Sequence, residues 1–287
     1  MKLTKGKLLE TIRRKNEGWT TYQARKIACV SIRRVNQVWT QYQKTGILPE
    51  LGKKIGRPRR PIKEEEITMV TEAFGRYKVS ASTLEKLIKR DKGVHIPHNK
   101  IHKIMIMLGL AKPKGKKDIR KKNWIRYERR HSLTAVHIDW YYDSVTETYV
   151  FAVIDDASRK LLALLECNSA TTENSIFGML EALKQGPIKQ CISDHGSQFV
   201  SNNEGGSKFS EFLASQGIRQ ILCRIKHPQS NGKVEKFFSL YKAKRHLFST
   251  KEDFVNWYNE VRPHRGLQFE QLETPQEAFL RKLKAEV

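Results

Sequence analysis

Residues 134–167 read TAVHIDWYYDSVTETYVFAVIDDASRKLLALLEC, and this stretch decides the fold of the chain. It holds three runs that are rich in aliphatic, aromatic and β-branched residues: Thr134–Tyr142, Tyr149–Asp155 and Leu161–Cys167. Turn-forming residues separate these runs. Runs of this length and composition predict β-strands. The sequence therefore predicts three strands in immediate succession.

Helices and strands are predicted to alternate after these three strands. The pattern predicts, in order, a helix over 171–184, a strand over Gln190–Ser193, a helix over 207–216, a strand over Gln220–Ile225 and helices from about residue 231 onward. Such an order implies a mixed α/β sheet. It is typical of a ribonuclease H-like fold, which we assign to residues 131–287.

The net positive charge of the chain is confined to residues 1–130. The net charge is +24, from 54 Lys and Arg against 30 Asp and Glu. Residues 1–130 hold 35 basic and 11 acidic residues, whereas residues 131–287 hold 19 of each. A field of one sign in one region indicates an anionic partner there, and nucleic acid is favoured over a solubilising surface or an anionic membrane.

Other compositional signals exclude several classes. No stretch approaches the ~20 apolar residues of a membrane span, and the first thirty residues lack the apolar core of a signal peptide. A cytoplasmic, nucleoid-associated protein with no membrane partner is therefore expected. Four scattered cysteines lack zinc-type spacing and are expected to be reduced and mostly buried: Cys29, Cys167, Cys191 and Cys223. Three nearby histidines are expected at the surface or facing DNA rather than on a metal: His95, His98 and His102.

Residues 1–48 are predicted to form a helix-turn-helix DNA-binding domain. Three helices are expected within 4–45, with Thr20 or Thr21 capping the second and Ser31 capping the third. The short 28–30 connection would free the last helix to enter a major groove. Its expected groove-facing residues are Arg33, Arg34, Asn36 and Gln37. The alternative is an ordinary three-helix bundle with a polar outer face.

The next 82 residues alternate between basic linkers and a helical unit. Residues 49–62 form a basic Gly/Pro linker, whose segment 56–61 resembles an AT-hook core that could lie in a minor groove, although a plain spacer is nearly as well supported. Its expected DNA contacts are Arg57, Arg59 and Arg60. Residues 63–111 are predicted to form a second helical, helix-turn-helix-like DNA-binding domain, with one helix opened by Pro97. Residues 112–130 are predicted to be a flexible basic linker.

Three acidic residues occupy positions that the predicted sheet can bring together. Asp139 lies within the first strand, Asp194 ends the short strand over 190–193, and Glu235 lies in the first turns of a helix. Carboxylates are ligands of Mg²⁺, which keeps several waters and accepts substrate phosphate oxygens as well. Two such ions activate a nucleophile and stabilise the leaving oxygen of a phosphodiester. Any one of these carboxylates alone would be an ordinary surface residue.

The residues around this trio resemble the catalytic domain shared by DDE-type insertion-sequence transposases and retroviral-type integrases. The resemblance spans roughly residues 131–280 and rests on an ordered series of segments: HIDW at 137–140, VIDDASR at 153–159, SDHGSQF at 193–199, HPQSNGKVE at 227–235, WYN at 257–259, RPH at 262–264 and TP at 274–275.

The resemblance implies both the site and the reaction. Asp139, Asp194 and Glu235 would be the catalytic, metal-binding residues of an enzyme that uses two Mg²⁺ or Mn²⁺ ions. It would nick double-stranded DNA at element ends and join the freed 3′-hydroxyl to target DNA, working as a dimer or a larger homo-oligomer. Lys242, seven residues after Glu235, is a candidate phosphate contact, since this spacing covers ~10.5 Å along one helix face. Lys233 and Lys236 are further expected DNA contacts.

Two features depart from the related families. Forty residues separate Asp194 from Glu235, which is longer than usual, and 202–207 is interpreted as an inserted loop. The His/Cys zinc domain that begins retroviral integrases is absent, which favours an insertion-sequence transposase. Two rival functions remain open: a domesticated DNA-binding regulator without strand transfer, and a ribonuclease H-like nuclease.

Among the other acidic residues, Asp155 and Asp156 are expected to cap a turn or pair with Arg159, and Asp143 to lie in a turn. His195 lies beside Asp194 and could approach the metal or a DNA phosphate.

Overall fold

The computed structural model describes residues 3–52, 61–113, 115, 127–200, 206–223 and 231–283. The chain forms two compact units, Met1–Pro61 and Ile62–Val287. In the described ranges, no helix is both long enough and apolar enough to cross a bilayer. The five-domain division predicted from the sequence stays a prediction.

The first unit is a small helical bundle. Its helices are α1 (Lys5–Asn16), α2 (Thr21–Ala28) and α3 (Ile32–Thr45). The side chain of Thr20 caps α2 and that of Ser31 caps α3, as the sequence predicted. Between these helices Cys29 adopts a left-handed conformation with φ 53°, which ends α2 abruptly. The two apolar clusters of the unit leave the opposite face of α3 exposed.

The second unit contains a five-stranded mixed sheet. Its strands are β1 (Val136–Asp143), β2 (Thr148–Asp155), β3 (Leu161–Cys167), β4 (Gln190–Ser193) and β5 (Arg219–Leu222), in the order β3-β2-β1-β4-β5. Strands β1, β2 and β3 pair antiparallel, whereas β4 runs parallel to β1 and β5 runs parallel to β4. This topology confirms the predicted ribonuclease H-like fold. The fifth strand ends at Leu222 rather than at Ile225.

Helices cover both faces of this sheet. Those after the first three strands are α7 (Thr172–Leu183), α8 (Lys208–Ser215), α9 (Gly232–Lys244), α10 (Lys251–Asn256) and α11 (Pro275–Lys282). Side chains alternate between the faces of β2, so Val150, Ala152 and Ile154 pack towards α9 and α10. Phe151 and Val153 join the opposite core with residues of α7, α8 and α11. On that side a Cβ at Gly178 would lie 2.4 Å from the Phe151 ring, so α7 requires glycine there.

Three further helices of the second unit share its core. They are α4 (Glu64–Tyr77), α5 (Ala81–Lys92) and α6 (His98–Met107). Their apolar residues belong to the same buried cluster as those of β2 and α9. The Trp257 indole N–H donates to the Tyr77 backbone carbonyl at 2.6 Å. The segment 63–111, which the sequence presented as a separate unit, therefore packs on the sheet domain.

Candidate active site

The sheet brings Asp139 and Asp194 to the same level of neighbouring strands. In the parallel pairing of β1 with β4, His137 faces Ile192. Each aspartate lies two residues beyond that pair, and Asp194 follows directly after the end of β4. Adjacent strands lie about 4.8 Å apart. The strand register therefore holds these two carboxylates side by side.

Helix α9 adds the third acidic residue and an amide. Glu235 lies exposed in the first turn of α9. Asn231, the residue before this helix, donates from Nδ2 to Oδ2 of Asp139 at 3.1 Å and to the Ile138 carbonyl at 3.4 Å. The other oxygen of Asp139 accepts the Trp140 backbone N–H at 2.8 Å. Asn231 thus fixes the start of α9 against β1 and orients Asp139.

The surroundings of Asp139 disfavour its charged form. Burial raises the pKa of Asp139 to about 7, and the charges of Asp194 and Glu235 add to the shift, although the hydrogen bonds from Trp140 and Asn231 oppose it. Burial also raises the pKa of the Cys223 thiol to about 11, and the same three carboxylates contribute. Two groups on different elements therefore sense the combined field of Asp139, Asp194 and Glu235.

The donor set of this site fits a hard divalent cation. Its side chains offer oxygen atoms, and the Asn231 Oδ1 is buried without a hydrogen-bond donor among the described residues. A cation would offset the repulsion that raises the pKa of Asp139. Within the described ranges, no three His, Cys, Asp or Glu side chains converge closely enough to enclose a metal by themselves. Waters or substrate oxygens would have to complete such a coordination shell, as is usual for Mg²⁺.

The three lysines of α9 that were predicted to contact DNA differ in their surroundings. Lys236 and Lys242 are exposed. Lys233 is mostly buried: its ammonium group contacts the Asp156 carboxylate and lies 4.7 Å from the centre of the Tyr127 ring. Burial and the charge of Arg159 lower the pKa of Lys233 to about 8. Lys233 is thus engaged inside the fold, whereas the other two lysines face solvent.

Sequence reasoning missed the network around Lys233. His137 is fully buried, and its Nε2 lies 2.7 Å from Oδ1 of Asp156. Burial opposes ionisation of Asp156, but the hydrogen bond with His137 and the charge of Lys233 hold its pKa well below the usual range. His137 precedes Asp139 by two residues, and Lys233 precedes Glu235 by two. The network therefore ties the strand and the helix that carry two candidate catalytic residues. The signal in the sequence was a charge inside an apolar strand run.

The remaining acidic residues play structural parts. Asp155 accepts hydrogen bonds from the backbone N–H and the hydroxyl of Ser158, so it caps the turn after β2 as predicted. Asp156 pairs with Lys233 rather than with Arg159, because Arg159 donates to Glu128 instead. Asp143 is the last residue of β1 rather than a turn residue, and its carboxylate accepts the Val145 backbone N–H of the turn that follows.

The cysteines and histidines behave differently from one another. All four cysteines are free. The expectation that most of them are buried was wrong, since only Cys191 is buried. Cys29 is exposed because it caps a surface helix. His95 and His98 are exposed and both contact Glu85, at 2.9 and 3.0 Å. His195 contacts the Cys223 carbonyl at 2.9 Å.

The predicted groove-reading residues lie on α3. Arg33, Asn36 and Gln37 are exposed, and Arg34 is half-buried and donates to Gln37 at 2.7 Å. Asn36 accepts a hydrogen bond from the Thr21 hydroxyl at 2.9 Å. The predicted linker contacts Arg57, Arg59 and Arg60 lie outside the described residues, as do residues 202–205 of the segment interpreted as an inserted loop.

Comparison with known proteins identifies the class. Residues 129–228 match the family model described as Integrase core domain. The chain is 27% identical over 146 residues to the ORF3 protein of Spiroplasma virus SpV1-C74, a proposed integrase, and this match spans 42% of the chain and 40% of that protein. It is 28% identical over 92 residues to an uncharacterized protein of Archaeoglobus fulgidus, covering 32% of the chain and 73% of that protein.

Solved structures of integrases are also similar. The catalytic core domain of BIV integrase aligns with 18% identity and a TM-score of 0.41, covering 51% of this chain and 93% of that one. The HTLV-2 integrase catalytic core domain in complex with magnesium aligns with 15% identity and a TM-score of 0.41, covering 52% and 97%. The simian T-cell lymphotropic virus intasome in complex with PP2A regulatory subunit B56 gamma aligns with 14% identity and a TM-score of 0.44, covering 73% and 74%.

Residues 129–228, which the integrase core model matches, include all five strands of the sheet together with Asp139 and Asp194. The match to the viral ORF3 protein spans less than half of either protein.

Proposed function

We propose that this chain is a DNA transposase that binds the terminal repeats of a mobile element, cleaves at the element ends and joins the 3′-hydroxyl to target DNA. Asp139, Asp194 and Glu235 are its proposed catalytic residues. The observation that carries the proposal is the strand register that brings Asp139 and Asp194 to the same level of β1 and β4, beside the start of the helix that carries Glu235. Burial, with the charges of the other two carboxylates, raises the pKa of Asp139 to about 7. Such perturbed groups cluster at functional sites.

Each side chain has a part in this reaction. Asp139, Asp194 and Glu235 would hold two Mg²⁺ or Mn²⁺ ions, which supply a nucleophile at neutral pH and stabilise the leaving oxygen of the phosphodiester. Asn231 keeps Asp139 oriented through its amide N–H. Lys242, which is exposed and lies about two helical turns from Glu235, would contact a DNA phosphate.

The exposed face of α3 is the proposed reader of the element ends. Arg33, Asn36 and Gln37 line a shallow groove of about 490 Å³ along that helix. Arg and Asn or Gln side chains are the ones that pair bidentately with guanine and adenine in the major groove. Because two ends must be joined to one target, the active form would be at least a dimer on DNA, in the cytoplasm and associated with the nucleoid.

Asp194→Asn tests the proposal against its rivals. The substitution keeps the shape of the side chain but removes a charge, so we expect cleavage and strand transfer to be lost while binding of terminal-repeat DNA is retained. The assay follows nicked and joined products separately with labelled target DNA and Mg²⁺. Joined products that persist in Asp194→Asn would refute the catalytic assignment. Nicks without joined products in the wild-type chain would favour the nuclease, and binding without either product would favour the regulator.

A further inference from the structure

A cationic site that includes none of the three candidate catalytic carboxylates lies in the sheet unit, beside α9. It is a pocket of about 340 Å³ whose lining includes four basic side chains: Arg159, Lys233, Lys236 and Arg262. The residues found to line it include no carboxylate, within the part of the chain that the structure describes. Phe237, Leu240 and Tyr258 form an apolar wall beside these cations. The pocket therefore combines concentrated positive charge with partial exclusion of water.

Two guanidinium groups in this pocket have unused donors. Arg159 is only 7% exposed, and its Nη2 donates to Glu128 at 3.1 Å. The Nη1 atoms of Arg159 and of Arg262 are both buried and have no acceptor among the described residues. Buried N–H groups are nearly always hydrogen-bonded in native proteins. Two such donors at one pocket indicate an acceptor-rich ligand.

The backbone of Arg159 supports this interpretation. Arg159 has a φ of 65°, a left-handed conformation that glycine adopts at lower cost. An arginine at such a position is favoured where its side chain is needed. Burial lowers the pKa of Arg262 below its ordinary value, yet arginine keeps its proton in proteins. The pocket therefore retains its positive charge at neutral pH.

The pocket does not include the candidate catalytic carboxylates. Its lining on α9 comprises residues 232, 233, 236, 237, 239, 240 and 243, so the pocket adjoins the candidate active site along this helix. Glu235 and Lys236 point about 100° apart around that helix. Asp139, Asp194 and Glu235 are not among the lining residues.

We propose that this pocket binds one phosphate group of a DNA backbone. A phosphate offers several oxygen acceptors, and planar guanidinium groups bind it through paired hydrogen bonds. Lys236 at the rim would contact the same group as a point charge. The DNA source rests on the proposed function, because an integrase core must hold DNA beside α9. A free phosphate or a phosphorylated small molecule shares this chemistry, so the test separates the two sources.

The first arm of the test uses inorganic phosphate. The melting temperature of the full chain is measured in phosphate and in chloride at matched ionic strength, since a ligand that binds the folded state raises it. Arg262→Lys keeps the charge but removes the planar fork, and Lys236→Gln removes an exposed charge without touching the core. We expect at least about tenfold weaker phosphate binding in Arg262→Lys. Lys189→Gln, which removes an exposed lysine outside the pocket, should bind phosphate like the wild-type chain.

The second arm uses duplex DNA and its salt dependence. Losing one phosphate contact should lower the slope of log affinity against log salt by about 0.9 in Lys236→Gln, with no change in Lys189→Gln. Arg262→Lys should weaken DNA binding although general electrostatics is unchanged. The melting temperature of each variant in chloride shows whether it is folded.

Each outcome has a defined meaning. Phosphate binding and DNA binding that both depend on Arg262 and Lys236 support the proposal. If phosphate stabilises the wild-type chain and the pocket variants equally, the proposed phosphate binding by this pocket is overturned. Phosphate binding that needs Arg262, with an unchanged DNA slope, overturns the DNA source and indicates a free phosphate. If the chain joins no DNA ends but both arms give the expected losses, the proposed function fails and the pocket stands.

Discussion

Asp139, half-buried in β1, and Asp156, buried directly after the adjacent strand β2, are two carboxylates whose surroundings differ. Asp156 contacts His137 and Lys233, and its pKa is held low. Asp139 has two hydrogen bonds but faces two further carboxylates, and its pKa rises to about 7. The difference indicates that the fold satisfies one carboxylate internally and leaves the other to be satisfied by a ligand. A charge that the fold does not compensate is the better guide to a binding site.

Removing the compensated carboxylate should have the largest effect. Asp156→Asn would leave the mostly buried Lys233 without its counter-ion, so we expect the free energy of unfolding to fall by about 3–5 kcal/mol. Urea titration of the full chain, followed by circular dichroism, measures this change. A loss no larger than that of Asp139→Asn would remove the contrast between the two carboxylates.

Replacing the uncompensated carboxylate, Asp139, should change the free energy of unfolding in the opposite direction. The folded-state pKa of Asp139 is raised above its unfolded value, so its favourable contribution to stability is present below about pH 4. It is lost as the pH rises to about 7. Without divalent ions, Asp139→Asn should therefore be more stable than the wild-type chain at pH 8, by on the order of 2–4 kcal/mol, and equal to it near pH 4. Chemical unfolding at both pH values, with chelator present, compares them. A destabilised variant at pH 8 would contradict the assignment.

The amide beside Asp139 gives a smaller, kinetic effect. Asn231→Ala removes the hydrogen bond to Asp139, so strand cleavage should slow by about tenfold, while binding of element DNA is retained. Asn231→Asp restores an oxygen but not the donor and should be slower still, since it adds a fourth negative charge. Single-turnover cleavage rates measure both variants. Unchanged rates in both would show that Asn231 does not position Asp139.

Loss of a helix cap in the first unit should have the smallest effect. It also serves as a control, because the cap lies outside the sheet unit. Thr20→Ala removes the side chain that caps α2. We expect a loss of about 1 kcal/mol in the stability of the helical unit and weaker binding of element DNA, with no change in the pKa-dependent behaviour of Asp139. Hydrogen exchange of the α2 amides measures the first effect. Unaltered exchange there would mean that the cap contributes little.

Much of the fold could be predicted because periodicity and composition are local. The three strand runs, the caps Thr20 and Ser31 and the alternation after residue 170 are all written in short segments. The ends of β5 and the packing of α4–α6 on the sheet could not be predicted, since they depend on contacts between distant residues such as Trp257 and Tyr77.

The candidate site also has parts that could be predicted from the sequence and parts that could not. Predicted strand and helix positions, together with the resemblance of the flanking segments to the transposase and integrase catalytic domain, singled out Asp139, Asp194 and Glu235, whose catalytic assignment stays a prediction. The Lys233–Asp156 contact was missed, because nothing in the sequence tells which of several nearby cations a buried carboxylate meets. The two unsatisfied guanidinium donors were missed for the same reason: burial of a single nitrogen atom is a property of the folded chain.

Binding of Mn²⁺ tests the central claim most directly. Electron paramagnetic resonance counts the ions that the full chain binds with element-end DNA present, for the wild-type chain and for Asp139→Asn, Asp194→Asn and Glu235→Gln. The account predicts about two bound ions for the wild-type chain and weakened binding in each variant, with no change in Asp143→Asn, whose carboxylate accepts a backbone N–H of the turn after β1. Equal Mn²⁺ binding by the wild-type chain and the three variants would contradict it.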